Sequence, residues 1–225
     1  MRILESIYRS PMGRLLSLLA SSLARFHQPF MVYGYRDLPT GNFRKYTRMS
    51  STVVIMNRPK LSVADFVWVW HSTILDATEG LTIGEGCQIG AWVGIFTHGS
   101  DSSIRLLGKN FVNIPNTERK GYTRGAVYVG DYSFIGAGSV ILPGVKIGKG
   151  SMISAGTLLT KSVPDYSIVT GNPAQVRGTT IDYDLQFFEK EDYSLSYYDP
   201  QALKIIQEII KYIEDILNEK RRISR

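Results

Sequence analysis

Residues 129–163 read VGDYSF IGAGSV ILPGVK IGKGSM ISAGTL LTKSV, with spaces marking the repeat. An aliphatic residue opens each block, at Val129, Ile135, Ile141, Ile147, Ile153 and Leu159. Four residues further on stands a small or β-branched side chain: Ser133, Ser139, Val145, Ser151, Thr157 and Val163. Glycine follows the aliphatic residue at Gly130, Gly136 and Gly148, as a close backbone approach demands. A fixed period outranks any local reading of the chain.

Six fits neither the helical period nor the two-residue alternation of a half-buried strand. It fits a solenoid of short strands, in which each block forms one flat face, three blocks close a triangular coil, and the aliphatic residues stack inside. Working outward, the repeat recurs at Ile83, Ile89 and Ile95, with Gly84 and Gly90 following. It is fainter at Ile55, Leu61 and Val67, and slips around Asp76 to Gly80. From Ile95 to Val129 the separation of 34 is not a multiple of six. Residues 99–126 are therefore expected to leave the coil as a long loop, a place where function concentrates. The repeat stops at Pro164, and Gly171-Asn172-Pro173-Ala174 breaks the strand rhythm.

The flanks differ from this middle. Ser10 and Pro11 suit the start of a helix that carries Leu15, Leu16, Leu19, Leu23 and Phe26 on one face. Residues 1–50 hold eight Lys/Arg against two Asp/Glu, so the net charge of +6 lies in this arm and the rest of the chain is neutral. That argues against a nucleic-acid groove along the solenoid and for an arm that meets something anionic. The helix is expected to pack on the solenoid or a partner subunit, or to lie on an anionic membrane surface; it is too short to span a bilayer. Residues 182–198 are aromatic and acidic and are expected to cover a solenoid end. Beyond Asp199-Pro200 a last helix is predicted with Leu203, Ile206, Ile210, Ile213 and Leu217 on its apolar face. The domains are thus a basic amphipathic arm (1–50), a β-helical domain (51–178) with its excursion (99–126), and a cap with a C-terminal helix (179–225).

The composition, 44% hydrophobic and 20% charged, is that of a globular chain. Its single cysteine excludes an intrachain disulfide framework and a four-cysteine zinc site. Cys87 lies four after Ile83, at the small inward position, and reads as core filling, not as a nucleophile. The histidines are His27, His71 and His98. His98 closes Ile95-Phe96-Thr97-His98 where the excursion departs, out of phase with the core residues, and so faces outward beside the loop.

The repeat, Thr97-His98-Gly99-Ser100-Asp101, Ile135-Gly136-Ala137-Gly138-Ser139, the run Ser154 to Lys161, and Gly171 to Arg177 together resemble the hexapeptide-repeat acyltransferases, which include galactoside, maltose and polysaccharide O-acetyltransferases. The resemblance covers roughly residues 65–178. It implies an all-β solenoid, a left-handed parallel β-helix whose hand departs from the usual right-handed crossover rule. It further implies a homotrimer with sites between subunits and acetyl-CoA as co-substrate, with no metal. By the same resemblance His98 is a general base. Asp76, in Ile74-Leu75-Asp76-Ala77, orients it or binds a sugar hydroxyl, the alternative being a turn aspartate. His71 either joins that site or is structural, and Ser100 and Arg105 are candidate acceptor contacts. Gly136, Ala137 and Ala155 line a groove for the pantetheine arm, while Thr160, Lys161 and Arg177 hold its polar and phosphate end. Gln175 departs from the family pattern, standing where a basic residue is common.

The function this implies is acetyl transfer from acetyl-CoA to a sugar hydroxyl, in surface polysaccharide or glycolipid biosynthesis, with direct transfer in a ternary complex. N-acetylation of a nucleotide-linked amino sugar, acetylation of an antibiotic or other small molecule, and a non-catalytic scaffold remain open. A zinc enzyme of this fold would need three converging histidines, and only His71 and His98 lie in the solenoid. The expected location is cytoplasmic, with the arm offering peripheral contact at the inner face of the membrane. No nucleic-acid partner is expected.

Overall fold

Three parallel sheets run the length of the repeat, and the chain visits them in strict rotation. The computed structural model describes residues 10–24 and 28–188, with Lys204, Gln207 and Lys211 as helical positions beyond them. On face A the stacked inward residues are Met49, Val69, Ile89, Ile135, Ile153 and Val169. On face B they are Ile55, Leu75, Ile95, Ile141 and Leu159. On face C they are Val63, Ile83, Val129 and Ile147, extended by a bridge to Val163. Most of these are fully buried and form one continuous core, a three-faced parallel β-solenoid in which each coil buries the apolar face of the next.

The faint early repeat is corrected by this register. Val63, not Leu61, pairs with Ile83, and Val69, not Val67, pairs with Ile89. Leu61 and Val67 are themselves fully buried, which made them look like the stacking residues. The passage from face B to face C takes eight residues from Ile55 to Val63 and again from Leu75 to Ile83, where Ile141 to Ile147 takes six. The B–C corner thus carries two additional residues in the first coils, and the excursion leaves from this same corner after Ile95.

The excursion is more ordered than a loop. Helix α2 (Asp101–Leu107) and two 3-10 turns fill it, and His98-Gly99 pairs antiparallel with Thr123-Arg124 as the chain returns. The N-terminal helix α1 (Pro11–Ala24) forms as expected, with Ser10 Oγ accepting from Gly13 N. Its Leu15, Leu16, Leu18 and Leu19 stay exposed. Strands Met31–Arg36 and Gln175–Thr179 close the two ends of face A antiparallel, so backbone edges are paired there. Helix α3 (Thr180–Phe188) follows, anchored by Thr180, whose N donates to Tyr166 O and whose Oγ1 donates to Gly150 O. Of the cap predicted over 182–198, residues 182–188 lie in α3; residues 189–198 and the apolar face from Leu203 to Leu217 lie outside the described residues.

Glycine at 136 is a packing requirement. A Cβ there would sit 2.4 Å from Ala155 N on the next coil. Gly136→Ala is expected to lose at least about 2 kcal/mol of stability as overpacking, read as a lower melting temperature.

Candidate active site

The B–C corner brings together the two residues singled out for chemistry. Asp76 ends a face-B strand, and its carboxylate is fully buried. Oδ1 accepts from Thr78 N (2.9 Å), and Oδ2 accepts from Thr97 N (2.8 Å) and Thr97 Oγ1 (3.0 Å) one coil above. His98 Nδ1 lies 2.7 Å from the same Oδ2, an ion-pair contact that falls short of hydrogen-bond geometry, and it has no hydrogen-bond partner among the described residues. Burial alone would raise the Asp76 carboxyl, but the hydrogen bonds from Thr78 and Thr97 outweigh it and hold the group below its ordinary range. Asp76 is therefore an anion at neutral pH. An anion facing Nδ1 places the ring proton on that nitrogen and leaves Nε2 with a free lone pair.

The ring is held from its face as well. Tyr122, returning in the excursion, stacks on His98 with centroids 5.8 Å apart and planes 10° from parallel. Phe111 stacks on Tyr122 at 6.4 Å, Arg119 lies 3.9 Å over Phe111, and Arg124 lies 4.5 Å over Tyr122. Arg124 also pairs with Glu79, whose N donates to Thr97 Oγ1. Thr97 is thus a hub that sequence reasoning missed; Thr78 was signalled by the Asp76-x-Thr78 spacing of an Asx-turn. Tyr122 carried no local signal, because only the return of the excursion brings it to His98.

The other candidates distribute over two corners. Thr160 occupies the position of Asp76 three coils up, roughly 14 Å away at the spacing of adjacent strands, with Lys161 beside it; both are exposed. They line a cleft of about 400 Å³ with Pro173, Ala174, Gln175 and Val176, so the Gly171 to Arg177 segment does meet them. Arg177 is exposed on the strand that follows. Ser100 precedes α2, and Arg105 folds back onto Asp101 O and Ser102 Oγ.

Ala137 and Ala155 lie on the A–B corner in a column with Ala91, linked by Gly138 N to Ala91 O and Gly156 N to Ala137 O. Ala91, Ala137 and Ala155 carry no atom beyond Cβ, and Trp92, exposed at 70%, stands beside Ala91. His71 belongs to the foot of this column, with Nδ1 2.6 Å from Ser50 Oγ and its carbonyl accepting from Trp92 N. Within one chain it is not brought to His98. The two corners are separated by the width of face B, roughly 15–20 Å for a six-residue strand segment.

Cys87 is fully buried, with Sγ donating to Gly130 O at 3.1 Å, and burial pushes its thiol up to about 12. It is core, not a nucleophile. No group of three His, Cys, Asp or Glu among the described residues could hold a metal ion, and no described helix is long and apolar enough to cross a membrane.

These features define a parallel β-solenoid with a carboxylate-braced imidazole at one corner. Residues 126–161 match the family described as bacterial transferase hexapeptide (six repeats), and the chain resembles the hexapeptide-repeat acetyltransferases. It is 54% identical over 55 residues to a putative acetyltransferase, YvoF, of Bacillus subtilis, covering 24% of this chain and 32% of that protein. It is 41% identical over 63 residues to the galactoside O-acetyltransferase of Lactococcus lactis, covering 28% of this chain and 30% of that one. A hexapeptide-repeat acetyltransferase of Vibrio cholerae, VCA0836, solved with acetyl coenzyme A, aligns at 20% identity and a TM-score of 0.49, over 56% of this chain and 64% of that chain. The chain spans about a third of the length of the curated relatives it matches.

Proposed function

We propose that the protein is an acetyl-CoA-dependent O-acetyltransferase whose acceptor is a sugar hydroxyl of a surface polysaccharide or glycolipid. The observation that carries this is the buried Asp76 carboxylate fixing His98 through Nδ1. Nε2 takes the hydroxyl proton as the sugar oxygen attacks the thioester carbonyl, and the tetrahedral oxyanion is held by backbone N–H groups. The carbon–sulfur bond then breaks, and the imidazolium returns the proton to the leaving thiolate. Cys87 supports direct transfer by its burial, since no acyl-enzyme can form on it.

The coils are read as left-handed, in keeping with the family resemblance. The donor column at Ala137 and Ala155 and the base at His98 stand on opposite edges of face B. Sites between the subunits of a homotrimer would bring the column of one chain to the base of another. Lys161 and Thr160, with Arg177 nearby, offer the cationic end for the donor phosphates. Lys161→Ala is expected to weaken acetyl-CoA binding roughly tenfold, the loss of one charge-assisted contact, with little change in maximal rate; titration calorimetry and initial rates read the two separately.

The exposed leucines of α1 within a basic arm suit contact with anionic lipid, and so a lipid-linked or polymeric acceptor. Co-sedimentation with anionic vesicles should be lost when residues 1–24, which end before the strands of face A, are removed; sedimentation that persists without them removes this part of the reading. Acetyl transfer is tested by release of the coenzyme A thiol on mixing the protein, acetyl-CoA and sugar acceptors. An alkali-labile acetyl ester on the product is expected. An alkali-stable amide would make the protein an amino-sugar N-acetyltransferase.

A further inference from the structure

The C–A corner carries a second pattern, longer than one coil. Asp65-Phe66, Asp131-Tyr132 and Asp165-Tyr166 alternate along it with Glu85-Gly86 and Lys149-Gly150, coil upon coil. Each aspartate reaches back to the preceding turn: Asp65 accepts from Tyr46 N, Asp131 from Glu85 N and Asp165 from Lys149 N. Each aromatic residue has positive φ, 59° at Phe66, 56° at Tyr132 and 59° at Tyr166. Tyr132 and Tyr166 lie over Gly86 and Gly150, where an added Cβ would meet their rings at 2.5 and 2.7 Å. Phe66 instead stacks on Tyr46, with centroids 4.8 Å apart.

Left-handed backbone costs a non-glycine residue about 1 kcal/mol or more, and asparagine or glycine would fill these turns with less strain. Bulky rings stand there instead, with Phe66 and Tyr132 exposed at 49% and 57%, and Tyr46, a strand residue beside Phe66, at 53%. With Tyr46 one coil before Phe66, Phe66, Tyr132 and Tyr166 follow one another at two coils, roughly 9–10 Å. That is close to the advance of one disaccharide in an extended β-linked glycan, in which every second pyranose presents the same apolar face. Polar groups flank the rings: Glu85 Oε1 accepts from the Tyr132 hydroxyl, and the Lys45 and Lys149 ammonium groups lie 5.3 and 5.5 Å over Tyr46 and Tyr166.

The geometry points to the C–A corner as a docking ridge for an extended β-linked polysaccharide, separate from the His98 corner. The ridge runs from Tyr46 and Phe66 past Tyr132 to Tyr166, long enough for about four pyranose units at the coil spacing. It rests on the reading of the acceptor as a glycan and narrows that acceptor to a polymer held at a distance from the reacting hydroxyl.

Titration calorimetry on the full chain with hexasaccharides of β-1,4-linked glucose and β-1,4-linked N-acetylglucosamine, and with the two monosaccharides, tests it. At least one hexasaccharide should bind and neither monosaccharide should at the same concentration. Tyr132→Asn should weaken hexasaccharide binding at least tenfold while holding or raising the melting temperature, because asparagine tolerates this backbone. Tyr132→Leu, which still covers Gly86 but offers no ring, should show the same loss. No binding to either hexasaccharide, or full affinity in the leucine variant, overturns the ridge. Acetyl transfer to monosaccharides run in parallel separates the two ideas. Transfer without hexasaccharide binding refutes the ridge alone, and binding without transfer to any sugar supports the ridge while refuting the catalytic reading.

Discussion

Replacing His98 by alanine is expected to lower acetyl transfer by roughly 10² to 10⁴-fold, the usual contribution of a general base, with acetyl-CoA affinity retained. The expectation follows from position. The imidazole is only partly exposed, its Nδ1 faces a buried anion, and its face is covered by Tyr122, so Nε2 is the reactive edge. The residues proposed to hold the donor stand on other coils, so removing the ring leaves them in place. Rates and donor titrations on one preparation check both halves. Unchanged turnover would remove His98 from the mechanism.

The second large effect belongs to Asp76. Asp76→Ala would strand Thr97 N–H, the Thr97 hydroxyl and Thr78 N–H, all of which now donate to its carboxylate. At about 1 kcal/mol or more for each buried donor left unpaired, a loss of roughly 3 kcal/mol or more is expected in denaturant melts. Asp76→Asn keeps an acceptor for Thr97 and should fold. Its carbonyl at the Oδ2 position, however, leaves the amide NH2 facing Thr78 N–H and removes the negative charge beside Nδ1, so a loss of about 10²-fold in rate is expected without the base being removed. The pH dependence has a definite sign. A carboxyl held below its ordinary value contributes stability that is full above the unfolded value, about 3.9 for aspartate, and is lost as pH falls through the folded value. Wild type should therefore lose stability in acid over a range where Asp76→Asn does not. Parallel acid dependences would show that the Thr78 and Thr97 hydrogen bonds do not favour the anion.

The stacked core was legible because each aliphatic residue from Val129 to Leu159 repeats with no insertion, and the same phase placed Cys87 inside. The early coils were misread by two residues because Leu61 and Val67 are as buried as Val63 and Val69; periodicity alone cannot tell which of two buried residues pairs across coils. That error hid a useful fact, namely that all the extra length falls on the B–C corner, where the site is. The Asp76 and His98 pair was reached through resemblance. Thr97 was not, since it meets Asp76 only through the stacking of one coil on the next, nor were Tyr122 and the Arg124 and Glu79 pair, which meet only through the return of the excursion. His71 is close to Asp76 along the chain, yet one face of the solenoid lies between it and His98.

The central claim is acetyl transfer to a sugar hydroxyl on a surface glycan. Mass spectrometry of the host's surface glycans with the gene intact, deleted, and restored as His98→Ala tests it most directly. The account predicts one alkali-labile acetyl group per repeat in the first and its absence in the other two. Identical acetylation in all three would contradict it.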